Sequence, residues 1–361
     1  MNPGNERLRE PGKGRLSKQK QGRHAPACLL LLSILCVFFF SPVQADSDQP
    51  ETSDETIREY SLNDFYFDTF VSLRFEAGSD GDELLDGCSR ICDEIQRTFS
   101  RTDENSELYA VNHRKTDRVE VSAPLAEVVQ AGLDYYEISD GRFDITIAPL
   151  SDLWDFKSEE ASVPSEAEIQ SALRKIDASS VHVESEEDES GQTGWYLVFD
   201  RPDTMIDLGA LVKGYAADRI AAFLREEGIT SGLINLGGNV YALGGKPDGS
   251  AWKIGIQKPF DTGIVDTVEV KDQSVVSSGV YERCFELDGI LYHHILDPAT
   301  GYPVQNSLWG VSIISDSSLE GDALSTVSML LGQDEAMDLI GRTDGVRAIF
   351  IDNALHVKRS E

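Results

Sequence analysis

Ile206-Asp207-Leu208-Gly209-Ala210-Leu211-Val212-Lys213-Gly214-Tyr215-Ala216-Ala217-Asp218 is the stretch on which the fold turns. Asp207 ends a strand, Gly209 allows a tight turn, and Lys213 opens a helix. Free backbone N–H groups and a lysine at a helix N-terminus stabilise an anion. The helix covers 213–228 and closes at Gly228. Leu233–Leu236 then reads as a buried strand. It leads into Asn235-Leu236-Gly237-Gly238-Asn239, a paired-glycine turn where backbone can approach a ligand or simply reverse direction. Upstream, Phe65, Phe67, Thr69, Val71, Leu73 and Phe75 alternate as one strand does. Helices follow at about 81–98 and 124–139, the second stopping at Asp140-Gly141. The segment 157–200 is acidic, and strands at 180–184 and 195–199 flank an exposed loop there. Short strands run to about Ile314, and helices at 322–331 and 334–342 close the chain. No period of 20–50 residues recurs and no βαβ rhythm is present. The expectation is α+β, a mixed sheet with packed helices, rather than a doubly wound sheet or a solenoid.

The 361 residues carry 32 Lys+Arg against 63 Asp+Glu, a net charge of −31, with 40% hydrophobic residues. That apolar share rules out global disorder. The acidity argues against nucleic acid, which needs a basic face, and against docking on an anionic membrane by charge alone. The charge is uneven. Arg7, Arg9, Lys13, Arg15, Lys18, Lys20 and Arg23, against Glu6 and Glu10, make the start basic. An apolar run from Ala27 to Phe40, too short to span a bilayer, ends in Ser41-Pro42-Val43-Gln44-Ala45. This order reads as a secretory signal over 1–45, with an uncleaved inner-membrane anchor as the alternative. Residues 46–60 read as an acidic flexible leader and 61–361 as one domain. The export signal points to a periplasmic protein.

Beyond the signal only Cys88, Cys92 and Cys284 remain. Cys88 and Cys92 fall one turn apart on a helix, where disulfide geometry is unfavourable. They read as small core residues, and no zinc pattern is present.

Further stretches are dense in residues ill suited to a plain core. One is Gly141-Arg142-Phe143-Asp144-Ile145-Thr146, and another is Ser277-Ser278-Gly279-Val280-Tyr281-Glu282-Arg283. A third is Tyr292-His293-His294-Ile295-Leu296-Asp297-Pro298-Ala299-Thr300-Gly301, leading on to Gly321-Asp322-Ala323-Leu324-Ser325-Thr326. Asp322 and Thr326, four apart at a helix start, share a face. Their oxygens suit Mg²⁺ held against phosphates better than zinc, or a helix cap.

In this order and spacing the motifs resemble the ApbE family, the FAD:protein FMN transferases, from about Phe65 to the C-terminus. They are Phe143-Asp144-x-Thr146, Asp207-Leu208-Gly209 through Lys213-Gly214-Tyr215, Asn235-x-Gly237-Gly238, His294-Ile295-x-Asp297-Pro298-x-Thr300-Gly301, and Asp322-Ala323-Leu324-Ser325-Thr326. The resemblance implies a T-fold-related mixed sheet with an FAD-binding cleft. It implies Mg²⁺-dependent transfer of FMN from FAD to a Thr or Ser hydroxyl of a partner, with AMP leaving. Partners carry a Ser/Thr-Gly-Ala-Thr-like site and are subunits of Nqr- or Rnf-type membrane redox pumps. Carried over by position, Asp207, Lys213, Gly237, Gly238 and the backbone at Leu296 face the FAD. Arg142, Phe143 and Asp144 lie on its adenine or ribose side. The Ala210 carbonyl, Asp322, Ser325 and Thr326 hold the metal, and His294 assists deprotonation of the attacking hydroxyl. Two departures stand out. Phe67-Asp68-Thr69 replaces the family's Met-Gly-Thr. Thr102 stands where many members have an aromatic residue near the dinucleotide, which bears on transfer against hydrolysis. FAD pyrophosphatase and non-catalytic flavin binding are the alternatives.

Overall fold

The alternation from Phe65 to Phe75 does not belong to one strand. The chain reverses at Phe67 and Asp68, which both take left-handed backbone (φ 54° and 56°). Two positive-φ residues are what a tight two-residue hairpin turn demands. Neither is the Gly or Asn that usually announces such a turn, so the period of two runs through it unbroken. The result is β1 (Arg58–Tyr66) paired antiparallel with β2 (Thr69–Ala77).

The computed structural model describes residues 57–158 and 162–360. The expected export signal and residues 46–56 of the leader lie outside the described residues. Arg58–Tyr60, expected in the leader, are part of β1. After β2 come α1 (Gly81–Phe99), α2 (Glu107–Asn112), β3 (Arg118–Val121), α3 (Ala123–Ile138), α4 (Ala148–Trp154) and α5 (Glu166–Leu173). Then follow β4 (Val181–Glu187), β5 (Thr193–Phe199), α6 (Val212–Glu226), β6 (Ser231–Leu236), β7 (Asn239–Gly244), β8 (Trp252–Gln257) and β9 (Ile264–Val270). The chain ends with β10 (Gln273–Gly279), β11 (Cys284–Leu287), β12 (Ile290–His293), β13 (Leu308–Ser315), α7 (Ser318–Leu331), α8 (Gln333–Ile340), β14 (Arg347–Asp352) and β15 (Val357–Arg359).

Eight strands form an open sheet in the order β1-β2-β6-β7-β10-β13-β14-β15. Alternate residues serve opposite faces, as the strand period requires. Val311, Ile313, Ala348 and Phe350 point into the larger core. That core includes α1, α6 and α7 through residues such as Leu84, Cys88, Cys92, Ala217, Ile220 and Leu324. Val275, Ile314, Ile349 and Ile351 point the other way, against Trp252, Ile254 and Val268 of the β8–β9 hairpin. Burial pushes the Cys88 and Cys92 thiols up to about 12, as expected of inert core residues. A small sheet, β3-β5-β4, flanks α3, and a separate hairpin pairs β11 with β12. None of the described helices is long and apolar enough to cross a membrane.

The registers gather several turns at one end of the large sheet. Thr69 pairs with Tyr66, and Leu236 with both Val71 and Asn239. Gly279 pairs with Gly310. The turn at 67–68, the turn at Gly237-Gly238 and the exit of β10 therefore share that end.

Candidate active site

The junction of α6 and α7 is the centre of the arrangement. Gly214 lets the helices touch: a Cβ there would lie 2.2 Å from the Ser318 carbonyl oxygen and 2.6 Å from Leu319 Cα. Asp218, one turn later, accepts hydrogen bonds from Ser317 Oγ (2.8 Å), Ser318 N (2.7 Å) and Leu319 N (2.9 Å). A side chain of α6 thus satisfies the first free amides of α7. Ser317 is the N-cap, its hydroxyl accepting from Glu320 N at 3.2 Å. The helix begins four residues earlier than the sequence suggested. Asp322 therefore sits in its second turn and is not a cap.

Asp322 is 2% exposed. Lys213 Nζ donates to its Oδ1 at 3.2 Å and Gly214 N to its Oδ2 at 3.0 Å. Gly214 is the third residue of α6, so its N–H is one of the first-turn amides with no partner inside the helix. Asp322 supplies that partner, a side chain of α7 capping the start of α6. Ser325 Oγ donates to the Asp322 carbonyl at 2.9 Å and lies 2.8 Å from Ser278 Oγ.

Asp207 flanks this centre. It lies in extended backbone rather than in a strand, and its N–H donates to the Ile145 carbonyl at 2.8 Å. The 144–146 and 206–208 stretches consequently run side by side. Asp207 Oδ1 accepts from Gly209 N at 2.9 Å, which fixes the turn. Its Oδ2 lies 3.3 Å from Arg101 Nε, and Arg101 also pairs with Asp152.

On the other side stand His294, Glu282 and Arg283. His294 N donates to the Arg283 carbonyl at 3.1 Å. Its Nδ1 is buried and has no hydrogen-bond partner. Burial pushes the imidazole down to about 3, and the charges of Arg283, His293 and Lys213 add to it. His294 is therefore neutral at ordinary pH. Water still reaches Glu282, but dense surrounding protein strips much of its solvation and pushes its carboxyl up to about 7. Lys213 and Arg283 oppose that rise and Asp322 adds to it. Glu282 and His294 thus both feel the charge of Lys213, and Glu282 that of Asp322 as well. His293 is different: its Nε2 is 3.0 Å from the Val304 carbonyl and its Nδ1 accepts from Ile295 N at 3.4 Å. Both nitrogens are committed, so it is a core histidine.

A family model described as the ApbE family matches residues 67–350. The chain belongs to the ApbE family. It is 35% identical over 278 residues to an FAD:protein FMN transferase of Klebsiella pneumoniae (strain 342), covering 75% of this chain and 83% of that one. It is 32% identical over 309 residues to an FAD:protein FMN transferase of Treponema pallidum (strain Nichols), covering 82% and 85%. The crystal structure of the ApbE protein of Thermotoga maritima has the same fold, with a TM-score of 0.74 at 30% identity, covering 84% of this chain and 97% of that one.

With the family in hand, the sequence-derived residues divide in two. Lys213, Asp322 and Ser325 are joined by hydrogen bonds, His294 feels the charge of Lys213, and Ala210 lies with Gly209, which bonds Asp207, in the turn before α6. Thr326 lies one turn after Asp322, half-buried. Thr102 is exposed next to Arg101 at the Asp207 end. Gly237 and Gly238 form the β6–β7 turn (φ 63° and 102°), and a Cβ on Gly237 would meet Thr69 Oγ1 at 2.1 Å. Among the remaining residues, Asp144, Phe143 and the Leu296 side chain are engaged by their surroundings, and Arg142 is free of such packing. Asp144 accepts from Thr146 N (2.7 Å), Thr146 Oγ1 (2.6 Å) and Ala178 N (3.2 Å), so its oxygens hold a loop together. Burial raises its pKa. Phe143 is buried against Tyr135, and Arg142 is exposed. The Leu296 side chain packs with Trp154 and Ile169, leaving only its backbone for a ligand.

Sequence reasoning missed Arg101, although it directly precedes Thr102. It singled out the Ser277–Arg283 stretch but gave Glu282 and Arg283 no role. Nothing short of the three-dimensional pairing marks Arg101 as the partner of Asp207. A groove of about 500 Å³ lies elsewhere, along β3 and β5, lined by Glu120, Glu186, Glu187 and Asp188. Its carboxylates repel an anionic dinucleotide, so the α6–α7 junction is the better site.

The residues present fit a magnesium ion. Among the described residues no group of three His, Cys, Asp or Glu could hold a metal ion by side chains alone, so any ion here would need other oxygens. The buried Asp322 carboxylate and the Thr326 hydroxyl one turn later are hard-oxygen donors of the kind that would suit Mg²⁺, the Ala210 carbonyl being a third candidate.

Proposed function

We propose that this chain transfers FMN from FAD to a Ser or Thr hydroxyl of a target protein, releasing AMP and requiring Mg²⁺. The buried Asp322, held by Lys213 and by the first-turn Gly214 amide in a chain of the ApbE family, is the observation that carries the reading. The hydroxyl oxygen bonds to the phosphorus of the FMN half, the bond to the AMP oxygen breaks, and the hydroxyl proton leaves. Such a reaction needs positioning and neutralised charge more than covalent help.

Each residue has a part in this. Lys213 offers a cation at the helix N-terminus, where the α6 dipole also favours phosphate. His294 is uncharged, and its unpaired Nδ1 can accept the hydroxyl proton. An arriving pyrophosphate counters Arg283 and Lys213, whose charges hold the imidazole pKa down, and so makes it more basic. Arg101 neutralises Asp207, which otherwise would face an anionic substrate. Asp322, Thr326 and the Ala210 carbonyl would hold Mg²⁺, with Ser325 fixing the turn beneath. When bound, the ion supplies charge neutralisation on the phosphates.

The acceptor we infer is a Ser/Thr-Gly-Ala-Thr-like site in Nqr- or Rnf-type redox pump subunits, and the basic, apolar start of the chain supports export to the periplasm. The test is AMP release from FAD with and without Mg²⁺ and a peptide bearing that sequence. AMP formation that needs Mg²⁺ and is accelerated by the peptide supports transfer. AMP and free FMN regardless of peptide indicate a pyrophosphatase. FAD left intact under Mg²⁺ refutes both enzymatic readings.

A further inference from the structure

FMN transfer requires a protein hydroxyl to reach His294, and the docking surface inferred for that hydroxyl's carrier rests on the transfer reading. The β11–β12 hairpin is rooted in the site on both sides: Arg283 precedes it, His294 follows it, and the two are hydrogen-bonded at 3.1 Å. Its register pairs Cys284 with His293, Phe285 with Tyr292, Glu286 with Leu291 and Leu287 with Ile290. Residues two apart on a strand share a face. Phe285, Leu287, Ile290 and Tyr292 therefore form one apolar face.

Only the root half of that face is covered. Phe285 lies 5.6 Å from Phe156, and Tyr292 5.6 Å from the fully buried Trp154. At the tip, Leu287 is 46% exposed and Ile290 49%. The hairpin also pairs with no other strand among the described residues. Its outer edges thus offer backbone groups for a further strand, the means by which extended peptides dock on sheets. Exposed Glu286 and Asp288 set the sign of the charge beside that edge. They favour a basic segment and disfavour a second copy of this acidic chain.

We propose that the β11–β12 hairpin docks an extended, basic segment of the acceptor protein as an added strand. An apolar side chain of the segment covers Leu287 and Ile290. Four strand residues span roughly 13 Å, so a segment paired along β12 runs from the tip to His294 and delivers its hydroxyl there. The aromatic mooring at Trp154 and Phe156 keeps this guide rigid.

The test is binding that needs no turnover. A fluorescein-labelled peptide with a Ser-Gly-Ala-Thr core and basic flanks is titrated with the wild type and with Leu287→Asp/Ile290→Asp, read by anisotropy. FAD affinity, read from flavin fluorescence, serves as the folding control, with Leu287→Met as a conservative second variant. The expected result is at least a tenfold weaker peptide Kd in the double Asp variant, with FAD affinity within twofold of wild type and Leu287→Met near wild type. Equal peptide Kd for wild type and double variant overturns the docking surface, as does a wild type that does not bind the peptide. A concentration-dependent dimer lost in the double variant also overturns it, by giving the surface to a second copy. If the peptide binds as expected but no FMN is transferred, the docking inference stands and the transfer reading fails.

Discussion

Replacing Gly214 with Ala sets two physical effects against each other. By helix propensity alone the change stabilises α6 by about 1 kcal/mol. The packing says the reverse. The new Cβ would lie 2.2 Å from the Ser318 carbonyl oxygen, about 1.2 Å inside the 3.4 Å at which ordinary contact begins. The obstacle is backbone at both nearest points, so no rotamer change relieves it. The helices must separate, and separation strains the Asp218 bonds to Ser318 N and Leu319 N, both under 3 Å. Overpacking of this kind costs roughly 1–3 kcal/mol or more, enough to reverse the sign. Moving α7 also carries Asp322 away from Lys213 and from the Gly214 amide. Gly214→Ala is therefore expected to lower the melting temperature by several degrees, to weaken FAD binding and to reduce FMN transfer together. Thermal denaturation and a flavin fluorescence titration check this on one preparation. Gly263→Ala is the control, because its backbone is not left-handed and its Cβ would meet only the exposed Asp261 carboxylate, at 3.3 Å. A Gly214→Ala protein as stable as wild type or more so, with unchanged FAD affinity, refutes the packing argument.

Other outcomes follow from the same geometry. Arg101→Ala leaves Asp207 without its partner beside an anionic substrate, so FAD affinity should fall about tenfold, or about 1.4 kcal/mol. Adding Asp207→Asn should recover part of it in the same titration, and no recovery means that Arg101 acts elsewhere. Asp322→Ala should abolish transfer and its Mg²⁺ dependence together, and full activity in that variant refutes the metal assignment. His293, buried and held down to about 4, binds its proton less readily folded than unfolded. Its contribution to stability is complete above about pH 6.5 and is lost as pH falls toward 4, reaching roughly 3 kcal/mol at most. His293→Gln should flatten the melting temperature over that window, and an unchanged slope would contradict it.

Much of the fold was readable because it follows local rules. The helix boundaries over 81–99, 123–138 and 212–226 come from apolar spacing and from stops such as Asp140-Gly141 and Gly228. The hairpin at Phe67-Asp68 was hidden because Phe67 is not a residue that normally tolerates positive φ and no glycine accompanies Asp68. The start of α7 was hidden because its cap is shared with a side chain 99 positions earlier, Asp218 bonding to Ser317. At the site, the residue types were legible in the motifs, but the division of labour was not. Asp144 and Asp207 read alike as carboxylates in motifs. Only the structure shows one spent on Thr146 and Ala178 while the other meets Arg101. His293 and His294 are adjacent and chemically identical, yet one is fully bonded and the other has a bare nitrogen.

Covalent attachment of FMN to a protein hydroxyl is the step on which every assigned role depends. Intact mass spectrometry of a purified Ser-Gly-Ala-Thr-bearing domain, after incubation with this protein, FAD and Mg²⁺, tests that directly. The expected result is an acceptor heavier by one FMN less one water, its modified residue a Ser or Thr, with one AMP formed per FMN attached. An acceptor of unchanged mass while FAD is consumed would contradict it.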